Sequence, residues 1–204
     1  MSEPTTPASP LDPPPIELDQ WFDLPEDEPG ELVDGRLEEE EMPGALHELA
    51  VTWLVFVFRA WLAGCGGFVL GSEAKFALGP RRGRKPDLSV FLPDGAVPPR
   101  RKVIRRPPDI AVEVLTDTAR DIRRDRVEKR DDYAAFGVRW YWILDPEHRT
   151  LEIHELGAEG RYLLALETAG QLADVPGCAG LVIDLPQLWD EIDRLGPDED
   201  DAFA

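Results

Sequence analysis

A chain of 204 residues is long enough to bury one substantial core and too short for two full-sized domains. With 43% hydrophobic and 31% charged residues it has the composition of a soluble globular protein, while 20 prolines and 17 glycines leave much of it to loops and tails. A formal charge of −19 argues against polyanion binding by the chain as a whole, yet residues 81 to 130 carry 15 of the 22 lysines and arginines and only 8 of the 41 acids. That segregation fits a basic face turned to a phosphate backbone, and equally a solvated arginine-rich loop.

Residues 1–17, beginning MSEPTTPASPLDPPP, are proline-rich without a hydrophobic period and read as a disordered tail. They lack the basic and apolar segments of a secretory signal, so a cytoplasmic location is expected. Asp34-Gly35, set between Glu31-Leu32-Val33 and Arg36-Leu37, predicts a β-hairpin. From Leu46 to Ala63 the residues Leu46, Leu49, Ala50, Trp53, Val57 and Trp61 recur at helical spacing, with Gly64 to end the helix. A second stripe of Val51, Val55, Phe58 and Leu62 makes this helix apolar on two sides, as in a helix buried centrally or shared between the subunits of a homodimer. Its most apolar stretch, Leu49 to Phe58, falls well short of the roughly 20 residues of a membrane span. Cys65 and Cys178 stand far apart with no CxxC, which suggests neither a disulfide nor a zinc site.

Gly67 to Leu78 predicts one strand and Pro86 to Leu92 another. Prolines and arginines between Leu92 and Arg106 mark an exposed loop, and Asp109 to Leu115 is apolar enough for a central strand covered on both faces. Residues 119–136 form a charged helix ended by Gly137. Trp140 to Leu144 and Leu151 to His154 make a hairpin about Asp145-Pro146-Glu147, with Trp140 and Trp142 packed against helices and His148 and His154 at the surface. A β and helical extension follows, then an acidic tail at 193–204. The expected organisation is a single domain at 18–192 with its core at 30–156.

Two acids sit where burial would normally forbid them. Asp87 opens a strand directly after Pro86, and Glu113 lies inside Ile110 to Leu115, where an unpaired carboxylate costs several kcal/mol. If their strands are neighbours, the two carboxylates meet at one end of the sheet as oxygen ligands for Mg²⁺ or Mn²⁺. On the helix 119–136, the packing stripe of Ile122, Tyr133 and Phe136 also carries Asp125 and Lys129. Lys129 either reaches the sheet, where its ammonium would orient a water and offset phosphate charge, or merely pairs with Asp125 along the helix. Arg81, Arg82, Arg84 and Lys85, with Arg100, Arg101, Lys102, Arg105 and Arg106, are candidate backbone-phosphate contacts.

Pro86-Asp87, Glu113-Val114-Leu115, Lys129 with Tyr133, and Gly137-Val138-Arg139-Trp140-Tyr141-Trp142-Ile143-Leu144-Asp145-Pro146 together resemble the Uma-two family of restriction-endonuclease-like proteins, within the PD-(D/E)XK nuclease superfamily. Glu31 to Gly35 and His47 extend the likeness over residues 30 to 156. The resemblance implies an α/β, restriction-endonuclease-like fold: a central mixed β-sheet flanked by helices, with an N-terminal β-hairpin. It further implies a metal held by Asp87, Glu113 and the Val114 carbonyl, and phosphodiester hydrolysis assisted by Lys129. The superfamily's usual lysine, two residues after the acid, is here Leu115, so Lys129 of the following helix is the matching base. Tyr133 and His47 match family positions, and Glu31, Glu48 or Asp125 would add polar groups. The leading expectation is a metal-dependent DNA endonuclease. The rival readings are a nuclease fold kept as a nucleic-acid or protein-binding module, and an acidic scaffold.

Overall fold

The computed structural model describes residues 14–24, 30–38, 43–100, 103–116 and 118–196. The tails expected at 1–17 and 193–204 thus lie outside the described residues as far as 13 and from 197 onwards. From residue 14 the chain runs onto the first hairpin, the Ile16 amide donating to the Gly35 carbonyl at 2.8 Å, and enters a short helix, α1 (Leu18–Phe22). Asp34 and Gly35 adopt φ values of 52° and 80°, the left-handed pair that a tight hairpin turn needs. They join β1 (Glu31–Val33) to β2 (Arg36–Glu38), with Leu32 opposite Leu37.

The helix α2 (Ala45–Leu62) is apolar nearly all round, so its inner face is chosen by packing. Ala50, Leu54 and Phe58 are fully buried, Trp53 and Leu62 nearly so, and Phe56 is 72% exposed. The inner face therefore takes residues from both expected stripes and adds Leu54. By length and composition its 18 residues would also pass for a membrane span, well beyond the ten-residue apolar stretch read from the sequence. Here that apolar surface covers a sheet instead.

That sheet holds β3 (Phe68–Gly71), β6 (Leu88–Phe91), β7 (Ile110–Val114), β8 (Trp140–Asp145), β9 (Thr150–Leu156) and β10 (Tyr162–Thr168), in the order β10-β9-β8-β7-β6-β3. Neighbours are antiparallel except β7 and β8, which are parallel and joined by a helical crossover, as parallel neighbours require. The crossover is one continuous helix in three parts: α3 (Ala119–Arg123), a π turn (Arg124–Lys129) and α4 (Arg130–Phe136). Gly137, at φ 91°, ends it. Strand alternation splits the core between the two faces. Ile110, Val112, Val114, Trp140, Trp142 and Leu144 pack on α2, together with the C-terminal helix α5 (Leu185–Ile192). Ala111, Tyr141 and Ile143 pack towards Tyr133 of α4. The fold is thus α/β, with a central mixed sheet between helices and a hairpin at the N-terminus.

Two expectations are corrected, and one strand is added. Gly67 to Leu78 is two strands, because the chain turns after Gly71: β3 joins the large sheet, whereas β4 (Phe76–Gly79) and β5 (Arg82–Arg84) join a second sheet of order β2-β1-β5-β4. The strand β5 (Arg82–Arg84) has the sequence Arg-Gly-Arg, which carries no apolar period to announce it. A Cβ at Gly83 would collide with the Trp21 ring, so glycine is required there. Finally, His154 is not a surface residue: it is 5% exposed, its ring 6.4 Å from that of Tyr141 and its Nε2 3.1 Å from Glu152. His148 is exposed, as expected.

Candidate metal centre and active site

Asp87 and Glu113 lie on adjacent strands and meet at the same end of the sheet. Leu88 pairs with Val112, so Asp87, one residue before β6, reaches the end of β7, where its Oδ2 accepts the Val114 amide at 2.7 Å. His47, in the first turn of α2, places Nε2 3.2 Å from the same oxygen. Glu113 points to the opposite face from its apolar neighbours Val112 and Val114, and is fully buried. Its Oε1 accepts the Tyr133 hydroxyl at 2.7 Å and its Oε2 the Lys129 ammonium at 2.9 Å. Lys129 also stands 3.2 Å from Asp125 and 3.9 Å from Glu31, so both alternatives for this lysine are realised together: it pairs along its helix and reaches the sheet.

The helix achieves this by widening. Four residues carry an α-helix about 40° past a full turn, so Asp121, Asp125, Lys129 and Tyr133 would spiral by roughly 120° along a regular helix. The π turn, with its longer hydrogen-bonded ring, takes up that drift. All four side chains are buried.

Charges at the site are unevenly matched. Burial pushes the Glu113 carboxyl well above the usual carboxylate range, and the nearby Asp87, Asp125 and Glu31 reinforce this against Lys129. Burial likewise raises Asp125. For Asp87, burial is outweighed by its bond to His47 and by Lys129, which hold it low; the reciprocal pairing with Asp87 raises His47 despite its own burial. Glu31 is also held low against burial, by Lys129, Arg84 and the Lys85 amide.

His47, Asp87, Glu113, Asp125 and Lys129 line a cavity of about 190 Å³ that also reaches Val114, Thr116, Asp121 and Arg124. Among the described residues, no three of His, Cys, Asp and Glu stand as a ready cation cage, and the Lys129 ammonium sits among the acids. The donor set nevertheless fits a hard cation. Asp87, Glu113 and Asp125 supply carboxylate oxygens at one water-accessible cavity, and their crowding leaves an excess of negative charge that a divalent ion would relieve.

The remaining candidates separate. Glu31 is committed elsewhere: Oε2 to Arg84 at 2.7 Å and Oε1 to the Lys85 amide at 2.7 Å. Glu48 lies at the rim with a 60% exposed side chain. Arg84 is fully buried between Glu31 and Asp132, and Lys85 is 7% exposed and paired with Glu73, so neither offers itself to a phosphate backbone. Arg84 neutralises the buried Glu31 instead. Arg81 is bound to Glu17, and Arg82 to Asp34 and Asp132. Arg100, Arg105 and Arg106 are exposed; Arg101 and Lys102 lie outside the described residues. Sequence reasoning missed Asp121 and Arg124. Asp121 was within reach by taking the four-residue spacing one step back from Asp125, whereas Arg124 joins this face only through the π turn.

Residues 17–186 match the sequence model of Uma2, described as "Putative restriction endonuclease". The chain belongs to the Uma2 family. Its fold is similar to that of a crystal structure of "a putative nuclease belonging to DUF820 from Anabaena variabilis", at 17% identity and a TM-score of 0.70, over 87% of this chain and 99% of the other. No curated protein matches the chain. For this Uma2 member, Leu115 occupies the place two residues after the acid and is buried in the apolar core. The ammonium beside Glu113 comes from Lys129 of the crossover helix instead.

Proposed function

We propose that the chain is a divalent-metal-dependent endonuclease that hydrolyses phosphodiester bonds in DNA, with Asp87, Glu113 and the Val114 carbonyl as ligands of Mg²⁺ or Mn²⁺ and Lys129 as the basic partner. What carries the reading is the convergence of Asp87, Glu113 and Lys129, 42 positions apart at the extremes, on one cavity, with Lys129 2.9 Å from Glu113. Family membership supports the reaction class.

When bound, the cation would supply Lewis-acid stabilisation of charge on the phosphoryl oxygens and a more acidic water. Tyr133 and Lys129 each take one oxygen of Glu113 and so fix its orientation. The Val114 amide and His47 do the same for Asp87. Held between Glu113 and Asp125, Lys129 brings a positive charge to the place where negative charge grows on the attacked phosphate, and its N–H groups can orient the attacking water.

A second reading rests on the same ammonium. Because Lys129 already compensates Glu113 and Asp125, the cavity also suits a nuclease fold that binds a partner without turnover. Titration calorimetry with Mn²⁺ separates the two: the endonuclease reading expects binding by the wild type that is lost in Asp87→Ala. It also expects nicking of supercoiled plasmid that is lost in Glu113→Ala and Lys129→Ala. Pure wild type that takes up no Mn²⁺ and leaves plasmid intact across Mg²⁺ and Mn²⁺ would exclude it.

A further inference from the structure

One cation on the cavity wall has no part in the scheme above. Arg124 opens the π turn and Lys129 closes it, five residues later. In a regular α-helix residues five apart point about 140° away from each other, so an arginine here would leave the face that carries Lys129. The i to i+5 geometry of a π turn stacks the two instead. Both indeed line the same cavity as Asp87, Glu113 and Val114. Such turns are uncommon and concentrate at functional sites; at this one, the distortion brings a second cation to the carboxylates.

Arg124 is also held in place from behind. Its Nη2 lies 2.6 Å from Asp121 Oδ1 and its Nε 3.9 Å from Asp125, and its side chain is only 11% exposed. Asp121 is anchored in turn, its Oδ2 accepting the hydroxyls of Thr116 and Thr118. A long side chain fixed by a fixed carboxylate has little rotamer freedom left to lose on binding a ligand.

Resting on the endonuclease reading, we infer that Arg124 is the phosphate ligand of this cavity: its guanidinium binds a non-bridging oxygen of the DNA phosphodiester next to the carboxylates, with Asp121 as the residue that positions it. A guanidinium carries five donors in a planar fork, so it can hold Asp121 and a phosphoryl oxygen at once.

The test is fluorescence anisotropy of a short labelled DNA duplex in saturating Ca²⁺, alongside plasmid nicking in Mn²⁺, for wild type, Arg124→Gln and Arg124→Lys. Arg124→Gln should weaken duplex binding about 10- to 100-fold and lower the slope of log affinity against log salt by about one. Arg124→Lys keeps the charge and loses the fork, and should weaken binding by about tenfold. Unchanged affinity and salt slope in a folded Arg124→Gln overturn the inference, since a guanidinium serving only Asp121 would alter stability alone. If the Gln variant does not fold, wild-type affinity in Arg124→Lys overturns it in the same way. Wild type that binds the duplex without nicking it, with Arg124→Gln binding weaker, keeps Arg124 as the phosphate ligand and removes the catalytic reading. Wild type that binds no duplex overturns both.

Discussion

The two faces of the six-stranded sheet are built on opposite principles. The face under α2 is apolar throughout: Phe58 packs on Trp142 with ring centroids 5.1 Å apart, among Leu54, Val112 and Leu144. The face under the crossover helix buries Glu113, Asp121, Asp125 and Lys129 beside Tyr133 and Tyr141. Burying apolar area stabilises without direction, whereas each buried charge must find its partner or lose free energy. One face therefore holds the molecule together, and the other holds a charged arrangement that costs stability and confines chemistry to one place.

Substitutions can break that contrast. The largest effect is expected on activity. Glu113→Gln should reduce plasmid nicking by about a thousandfold or more, while its thermal midpoint stays level with or above that of wild type, because one of several crowded acids is neutralised. A clear loss of stability in this variant would mean that Glu113 serves structure first. On the opposite face, Phe58→Ala should lower the free energy of unfolding by about 3 to 5 kcal/mol, read by denaturant titration, with Mn²⁺ affinity of the folded fraction unchanged.

Arg84 joins the four-stranded sheet to the crossover helix, pairing with Glu31 of that sheet and Asp132 of the helix. Arg84→Ala takes the guanidinium from the buried Glu31 and one of two arginines from Asp132, and should cost about 3 to 5 kcal/mol. Combining Arg84→Met with Glu31→Gln should recover part of that loss, as no apolar-face truncation would.

Smaller effects should appear with pH and thiol chemistry. Burial holds His154, on the polar face, below the usual histidine value of 6.5. The unfolded chain thus takes up its proton first, and this residue's contribution to stability is intact above 6.5 and declines as pH falls through that value. Unfolding curves of wild type and His154→Gln should diverge in that direction on acidification; parallel curves would show that His154 gains a proton as readily folded as unfolded. On the apolar face, burial pushes the Cys178 thiol up to about 12, whereas Cys65 is exposed. Native protein should therefore show one thiol reactive to a disulfide reagent near neutral pH, and two after denaturation.

Much of this contrast was legible along the chain. Asp34-Gly35 specifies its turn locally, because few residues accept two positive φ values in succession. Gly137 ends its helix for the same reason. The unbroken apolar run of β7 marks a strand covered on both sides, and Glu113 within it stands out by breaking that pattern. Lys129 on a packing stripe was the matching anomaly, and the structure places it at hydrogen-bonding distance from Glu113.

What the chain did not disclose depends on partners far away in it. Arg84 reads as a solvated cation until Glu31 and Asp132, 53 and 48 residues distant, close around it. β5 has no apolar period and exists because β1 and β4 flank it. His154 is buried by Tyr141 across a strand pair, and Arg124 reaches the cavity only because the crossover helix widens by a π turn. Local backbone preference and hydrophobic period are properties of neighbouring residues, so the sequence by itself determined the elements that carry such a signal and the positions of its two anomalous acids. Which charges are neutralised, and which are left facing a cavity, is set by Coulomb and desolvation energies that act through space, and only the tertiary structure decides them.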